Sequence, residues 1–98
     1  MFKIVKKEKL AENLYWMDIA APLVAQKAMP GQFVILRVHD RGERIPLTIA
    51  DYDRKKGIVT IIFQAVGKTT ILLATKEQGG FIQDFVGPLG TESKLDGF

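Results

Sequence analysis

One short stretch combines residue types that bind phosphate groups. Residues 64–74 read QAVGKTTILLA, in which Gly67, Lys68 and Thr69 match the last three positions of a nucleoside-triphosphate-binding P-loop. That loop also needs an earlier glycine, because its backbone must curl until several N–H groups face the phosphates. Counting G-x-x-x-x-G-K back from Gly67 reaches Ile62, and a β-branched residue resists the positive φ of such a turn. The spacing excludes a P-loop and leaves a phosphate-binding geometry to be explained.

The composition limits which chemistry the chain can carry. The 98 residues contain no cysteine and a single histidine, His39, so disulfides and thiolate-bound clusters are excluded and we expect no metal site. The 14 Lys and Arg residues against 11 Asp and Glu residues give a scattered net charge of +3, unlike a nucleic-acid-binding surface. No uncharged stretch approaches the roughly 20 residues that span a bilayer. We expect a cytoplasmic protein that binds neither nucleic acid nor membrane.

The apolar residues occur in short runs of β-branched and aromatic types separated by turn residues, as in an antiparallel all-β domain. The predicted strands are residues 2–10, 14–19, 32–38, 45–52, 58–66 and 81–86. One short helix is expected after Gly67, ending at the Gly79-Gly80 pair, and GPLG at residues 87–90 is expected to be irregular. Closure protects the edges of apolar strands, so we predict a six-stranded antiparallel Greek-key barrel with one short helix.

A helix that begins at Gly67, directly after a central strand, directs unpaired N–H groups and a partial positive charge outward. Thr69 and Thr70 add hydroxyl donors in its first turn, so this position could hold a diphosphate. The alternative is that Gly67 only ends a strand and Thr69 only caps a helix. Lys68 could likewise neutralise a phosphate or face the solvent. The local sequence leaves these alternatives open.

The strand ERIPLTIADYD, residues 43–53, provides an independent indication of a ligand. A proline cannot donate a hydrogen bond to a neighbouring strand. Pro46 therefore predicts an edge, a bulge, or a position where a ligand replaces a neighbouring strand. Thr48 lies two residues further on the same face of the strand and supplies a hydroxyl there.

With these residues the sequence resembles the ferredoxin–NADP reductase superfamily. The flavin-binding barrel of that superfamily carries an Arg-x-(aromatic or aliphatic)-Ser/Thr strand and, one strand later, a glycine turn at a helix start. The matching elements are IPLT at residues 45–48 and GKTT at residues 67–70. PGQFV at 30–34 and VGPLG at 86–90 are similar to the flavin subunits of sulfide dehydrogenase and NADH-dependent reduced ferredoxin:NADP oxidoreductase, and next to the dihydroorotate dehydrogenase electron-transfer subunit. The resemblance runs through essentially the whole chain.

The resemblance implies that residues 1–98 form an FAD-binding β-barrel domain of an NAD(P)H-linked oxidoreductase. Thr48 would hydrogen-bond near the flavin N5 as the catalytic-site residue, and Leu47 would pack on the isoalloxazine or ribityl group. Residues 62–64 would line the flavin, and the glycine and threonines of residues 67–70 would hold the pyrophosphate. The full set of implied cofactor-binding residues is Arg44, Pro46, Leu47, Thr48, Ile62, Phe63, Gln64, Gly67, Lys68, Thr69 and Thr70.

The chain departs from the superfamily pattern at three positions. The arginine of the pattern stands three residues before the hydroxyl residue, where this chain has Ile45, and Arg44 comes one residue earlier. In a strand, a shift of one residue turns a side chain to the opposite face. Leu47 replaces the tyrosine of plant-type reductases, and Thr69 replaces a glycine that is common in the superfamily.

Such reductases continue into a nicotinamide-binding α/β domain, often with a cysteine cluster for a [2Fe–2S] centre. Only TESKLDGF follows GPLG here, and no G-x-G-x-x-G is present. We therefore expect NAD(P)H and [2Fe–2S] to act through a further domain or a continuation of the chain, a larger iron–sulfur/flavin subunit, or a ferredoxin-type carrier. This segment alone would be incomplete for turnover. The alternative is a small-barrel binding module for protein or oligonucleotide without redox activity, which its few aromatic residues disfavour.

Overall fold

The strands wind into a nearly closed antiparallel barrel in the computed structural model, which describes residues 1–91. The strands are β1 (Phe2–Ala11), β2 (Leu14–Ala20), β3 (Phe33–Arg37), β4 (Arg44–Asp53), β5 (Ile58–Gln64), β6 (Phe81–Ile82) and β7 (Asp84–Leu89). The helices are α1 (Pro22–Lys27) and α2 (Lys68–Ala74). No helix in this part of the chain is long and apolar enough to cross a membrane.

The strand order is β6-β1-β2-β5-β4-β3-β7, with every neighbouring pair antiparallel. Strands β3, β4 and β5 follow one another as neighbours, while β2 reaches its place beside β5 through a long connection that contains α1. This arrangement is a Greek key. The predicted all-β Greek-key barrel is confirmed.

The last strand accounts for the difference between six predicted strands and the seven observed among residues 1–91. The segment predicted as one strand, residues 81–86, is divided at Gln83. Its first part, β6, pairs with β1, whereas β7 pairs with β3 at the other end of the sheet. One short segment thus nearly closes the barrel by bridging its two ends, and its division follows from pairing with two different neighbours.

Two local predictions were wrong. A second helix, α1, was not expected; Pro22 occupies its first turn, where a proline is tolerated, and Val24 and Ala25 are buried as α1 packs against β5 and β7. The GPLG segment was expected to be irregular, but β7 continues through Gly87 to Leu89. A Cβ at Gly87 would stand 3.1 Å from Val34 Cγ1, so the glycine allows β7 to lie close against β3.

The barrel interior is filled by alternate residues of the strands. Fully buried side chains include Ile4, Met17, Leu36, Ile61 and Leu73, the last of which belongs to α2 and closes the core from one end. Because side chains of a strand alternate between its two faces, the residues between these buried positions point outward. Those outward positions on β4 and β5 are the ones that a bound molecule can contact.

Candidate functional site

Strands β4 and β5 are paired along only part of their lengths. Their ladder ends at the pair Ile49↔Ile61. In the part of the chain that the structure describes, residues 44–48 of β4 pair only with β3, and residues 62–64 of β5 pair only with β2. The two segments therefore present facing edges without a ladder between them. We refer to this opening as the β4–β5 cleft.

The hydrogen-bonding phase of β4 explains the position of Pro46. The Ile49 amide donates to the Gln32 carbonyl, on the β3 side, over 3.0 Å. Backbone groups alternate sides along an antiparallel strand, so the amide of Thr48 and the nitrogen of Pro46 face the β4–β5 cleft. A proline here removes no hydrogen bond to β3. Of the three alternatives predicted for Pro46, an edge, a bulge or a ligand in place of a strand, the structure shows an edge that is unpaired on the β5 side.

The side chains of β4 divide between the two faces of the barrel. Arg44, Pro46 and Thr48 are exposed, whereas Ile45 and Leu47 are half-buried and pack against the core. The one-residue displacement from the superfamily pattern therefore places Arg44 on the same outer face as Thr48. Leu47, which the resemblance assigns to the flavin ring, has its side chain on the inner face.

The three β5 residues assigned to the flavin do not share one face. The side chains of Ile62 and Gln64 are exposed, but Phe63 is only 3% exposed and packs inward. Its ring stacks on that of Tyr15, with 5.7 Å between the ring centroids. Phe63 therefore offers its side chain to the core, and its backbone groups face Tyr15 on β2, whereas Ile62 and Gln64 can offer their side chains to a bound molecule.

The turn into α2 is closed by Thr70. Its hydroxyl oxygen accepts the amides of Gly67 at 2.9 Å and Val66 at 3.1 Å, and its hydroxyl donates to the Gly67 carbonyl at 3.1 Å. The hydroxyl proton of Thr70 is thus already engaged inside the turn. Thr70 shapes the turn, and the amides of residues 68–70 remain without an intrahelical acceptor, as at any helix start.

The fold itself does not require a glycine at position 67. Gly67 has φ −115° and ψ 170°, an extended conformation that any residue adopts. A Cβ built there would meet only Thr70 Oγ1, at 3.8 Å, within a 4 Å radius. Neither backbone strain nor packing explains this glycine. An open approach to the backbone, which a side chain would fill, is what the glycine provides.

A lysine on β1 holds the other end of α2. Lys7 Nζ donates to the Ala74 carbonyl at 2.6 Å and lies 5.3 Å from the centroid of the Tyr15 ring. A positive charge at a helix C-terminus is favourable both as a hydrogen-bond donor and in the field of the helix dipole. This contact ties the C-terminal end of α2 to β1 and to Tyr15 of β2.

The charged neighbours of Arg44 come from strands distant in sequence. Asp84 Oδ2 lies 2.6 Å from Arg37 Nη2 and 3.7 Å from Arg44 Nη2. One carboxylate thus faces two guanidinium groups, which leaves an excess of positive charge on the outer face beside Arg44. Sequence reasoning did not identify Arg37 or Asp84, because only the pairing of β3 with β4 and β7 brings them next to Arg44.

The other titratable candidates serve the local structure. His39 Nδ1 accepts the Arg41 amide at 3.2 Å within the β3–β4 turn, and Asp53 accepts the Lys56 amide at 3.0 Å. Within residues 1–91, no three His, Asp or Glu side chains converge as a metal site would require.

The barrel has a fold that solved reductase structures share. The fold is shared with phthalate dioxygenase reductase, with a TM-score of 0.72 and 18% identity over 98% of this chain and 31% of that one. It is also shared with the cytochrome b5 reductase domain of Ulva prolifera nitrate reductase, with a TM-score of 0.67 and 15% identity over 91% of this chain and 40% of that one. No protein-family model matches the chain.

More similar proteins narrow the assignment. The NADH-dependent reduced ferredoxin-NADP oxidoreductase structure superimposes with a TM-score of 0.92 and 48% identity, covering 94% of this chain and 33% of that one. An uncharacterised protein from the adh 3′ region of Clostridium beijerinckii is 57% identical over 95 residues, 97% of this chain and 32% of its own length. The Thermotoga maritima homologue of the dihydroorotate dehydrogenase B (NAD(+)) electron transfer subunit is 46% identical over 96 residues, 98% of this chain and 34% of its own length.

The predicted resemblance to the ferredoxin–NADP reductase superfamily is confirmed, and the similarity covers nearly the whole of this chain. The chain spans about a third of the length of these relatives. The comparisons give no support to the alternative of a small barrel that binds protein or oligonucleotide.

Proposed function

We propose that this chain is the FAD-binding barrel of an NAD(P)H-linked oxidoreductase that passes electrons between nicotinamide, flavin and iron–sulfur partners. The observation that carries the proposal is the β4–β5 cleft, whose unpaired strand edges lead to the open backbone at Gly67. The similarity to electron transfer subunits supports the same assignment. Bound FAD would supply the redox chemistry, and the chain would supply binding and orientation.

The residues around the cleft fit the two polar parts of FAD. Backbone groups that face the β4–β5 cleft, such as the Thr48 amide, can exchange hydrogen bonds with the polar edge of an isoalloxazine ring. The amides of residues 68–70 and the exposed Lys68 offer hydrogen bonds and charge to a diphosphate. Gly67 leaves that backbone accessible. Arg44, the first residue of β4, lies on the same outer face as Thr48 and adds positive charge there.

The nicotinamide and iron–sulfur steps belong, in this proposal, outside residues 1–98. The relatives are about three times as long as the segment that matches. We propose that a nicotinamide-binding domain and a larger iron–sulfur/flavin subunit or ferredoxin-type carrier meet the flavin held by this barrel, in the cytoplasm. Turnover with NAD(P)H then requires those parts, because they orient the nicotinamide against the flavin.

Equilibrium titration of the chain with FAD, FMN and riboflavin, followed by flavin fluorescence, tests the proposal. We expect FAD to bind more tightly than FMN, and FMN more tightly than riboflavin, because each added phosphate or nucleoside gains contacts at the α2 end of the cleft. A protein with no affinity for any flavin would contradict the assignment. Equal affinities for FAD and FMN would contradict the phosphate site at Gly67.

Thr48→Val is expected to change the flavin midpoint potential more than it changes FAD affinity. The substitution keeps the side-chain shape and deletes the hydroxyl that the superfamily resemblance places near N5, where protonation changes with oxidation state. One such hydrogen bond contributes about 0.5–1.5 kcal/mol, or about 10–30 mV for a two-electron couple. Potentiometric titration against reference dyes measures the shift. An unchanged potential would show that the N5 role belongs to another residue.

A further inference from the structure

Three charged residues stand side by side on the outer face of the barrel, where β3 ends. Arg37 of β3 is directly opposite Arg44 on β4 and directly opposite Asp84 on β7. Two like charges directly opposite each other on neighbouring strands destabilise a sheet. The Asp84 carboxylate offsets this repulsion, since its Oδ2 atom lies 2.6 Å from Arg37 Nη2 and 3.7 Å from Arg44 Nη2. Asp84 is therefore shared between the two arginines.

The contacts of Asp84 with the two arginines are unequal. The Arg37 side chain is only 20% exposed, and its Nη1 atom also donates to the Asp40 carbonyl at 3.0 Å. The Arg44 side chain is 61% exposed, and within residues 1–91 Asp84 provides its one ion pair. An exposed ion pair at this separation is weak. Arg44 can therefore exchange one anionic partner for another, whereas Arg37 is held in place.

The Arg44 side chain is directed away from the β4–β5 cleft. Strand β3 lies between β4 and β7. Neighbouring strands are about 4.8 Å apart, so β7 is about 10 Å from β4. The Arg44 guanidinium approaches Asp84 because its side chain extends across β3. Strand β5 flanks β4 on the opposite side, so the charge of Arg44 is turned toward β7 and away from β5.

The beginning of α2 lies on the β5 side of β4. The β4–β5 ladder ends at the pair Ile49↔Ile61. Continued beyond that end, the same register sets Arg44 opposite residue 66, directly before Gly67. Residues 41–43 of the β3–β4 turn also surround one hollow together with Lys68 of α2. Arg44 thus stands between Asp84 on one side and, on the other, the turn to which the proposed function assigns the diphosphate.

We propose that Asp84 competes with the diphosphate of FAD for the Arg44 guanidinium, and this inference rests on the proposed FAD-binding function. A guanidinium offers carboxylates and phosphates the same fork of charge-assisted hydrogen bonds, so one anion can replace the other. When Arg44 turns to the diphosphate, Asp84 keeps its 2.6 Å contact with Arg37. Asp84 is then a positioning residue that acts on the ligand through Arg44. It lowers the affinity for flavins that carry phosphate and leaves the affinity for riboflavin unchanged.

Four variants separate competition for Arg44 from a structural role of Asp84. Asp84→Asn removes the charge and keeps the shape, and Asp84→Glu keeps the charge. Arg44→Gln removes the guanidinium, alone and in combination with Asp84→Asn. Asp40→Asn is the matched control, because Asp40 is exposed in the adjoining turn and the backbone carbonyl that accepts from Arg37 is retained. The Kd values for FAD and riboflavin are measured for each variant, with thermal unfolding as the check on folding.

We expect Asp84→Asn to lower the Kd for FAD about threefold, as release from one exposed ion pair predicts, and to change the Kd for riboflavin less than about 1.5-fold. In the Arg44→Gln chain, the same change at Asp84 should leave the Kd for FAD unaltered. Asp84→Glu and Asp40→Asn should resemble the unmodified chain. An unchanged or raised Kd for FAD in a folded Asp84→Asn chain, or an equal gain without Arg44, would overturn the competition and leave the proposed function standing.

Inorganic pyrophosphate provides a test on the unmodified chain that does not depend on flavin binding or on the folding of a variant. Titrated into the isotope-labelled chain, it should shift the side-chain Nε resonance of Arg44 more than that of Arg37, which keeps its contact with Asp84. If no flavin binds, the proposed function fails, and these resonances still decide whether a diphosphate takes Arg44 from Asp84. An Arg44 resonance that does not respond to millimolar pyrophosphate would overturn the competition by itself.

Discussion

Gly67→Val is expected to raise the Kd for FAD at least about 100-fold and to leave the fold intact. The side chain would occupy the space over the amides of α2 and block two or more charge-assisted hydrogen bonds to the diphosphate, each worth about 1.5–3 kcal/mol. The fold tolerates the change, because Gly67 has an extended conformation and a Cβ there meets only Thr70 Oγ1, at 3.8 Å. Titration with FAD and thermal unfolding of the same samples measure both effects.

Riboflavin, which carries no phosphate, is the control for this variant. Its affinity should stay within about threefold of that of the unmodified chain, since it depends on the β4–β5 cleft alone. The change of N-cap residue should cost no more than about 1 kcal/mol of unfolding free energy. Near-normal FAD affinity in a folded Gly67→Val chain would place the diphosphate elsewhere.

Phe63→Ala is expected to lower the stability of the fold, and Ile62→Ala to lower the affinity for flavin, although the two residues are adjacent. Phe63 is 3% exposed and stacks on Tyr15, so its truncation should cost about 3–5 kcal/mol, a large part of the stability of a small domain. Ile62 is 38% exposed on the cleft side, so its truncation should cost less than about 1 kcal/mol. Only Ile62→Ala should weaken flavin binding in a protein that is otherwise stably folded.

Urea denaturation measures the free energy of unfolding with and without FAD. Titration of the folded protein with FAD measures the affinity separately. The resemblance to the superfamily assigns both residues to the flavin, whereas the alternation of β5 leaves only the Ile62 side chain exposed. The two variants decide between these alternatives. A Phe63→Ala chain with normal stability and no flavin affinity would mean that the Phe63 ring contacts the flavin. Unchanged flavin affinity in Ile62→Ala would show that the Ile62 side chain does not contact the flavin.

Several features followed from local sequence alone. Short runs of β-branched residues between turns predicted the strands, because alternation and propensity act over a few neighbouring residues. Pro46 indicated an unpaired edge, since its ring removes a donor wherever it stands. Gly67, with threonines two and three residues later, indicated the start of α2. The superfamily resemblance rests on these same residues, and the comparisons with known proteins confirm it.

The detailed assignment of side chains in the site required the three-dimensional structure. Thr70 was expected to face the pyrophosphate, but its hydroxyl closes the turn at Gly67. Arg44 stands one residue away from the superfamily position, and the unbroken pairing of β4 with β3 between residues 44 and 48 keeps it on the face of Thr48. Such outcomes depend on which donor and acceptor lie nearest in space, and short motifs do not encode that.

The sequence by itself determined the barrel class, the cleft strand around Pro46 and the helix start at Gly67, because each depends on conformational preferences of adjacent residues. The tertiary structure alone decided the division of the last strand at Gln83, the burial that stabilises α1, and the meeting of Asp84 with two arginines. It also placed the β3–β4 turn beside the beginning of α2. The physical reason is that closing a barrel joins segments far apart in the chain, and the free energy that selects those pairings comes from burying a shared core.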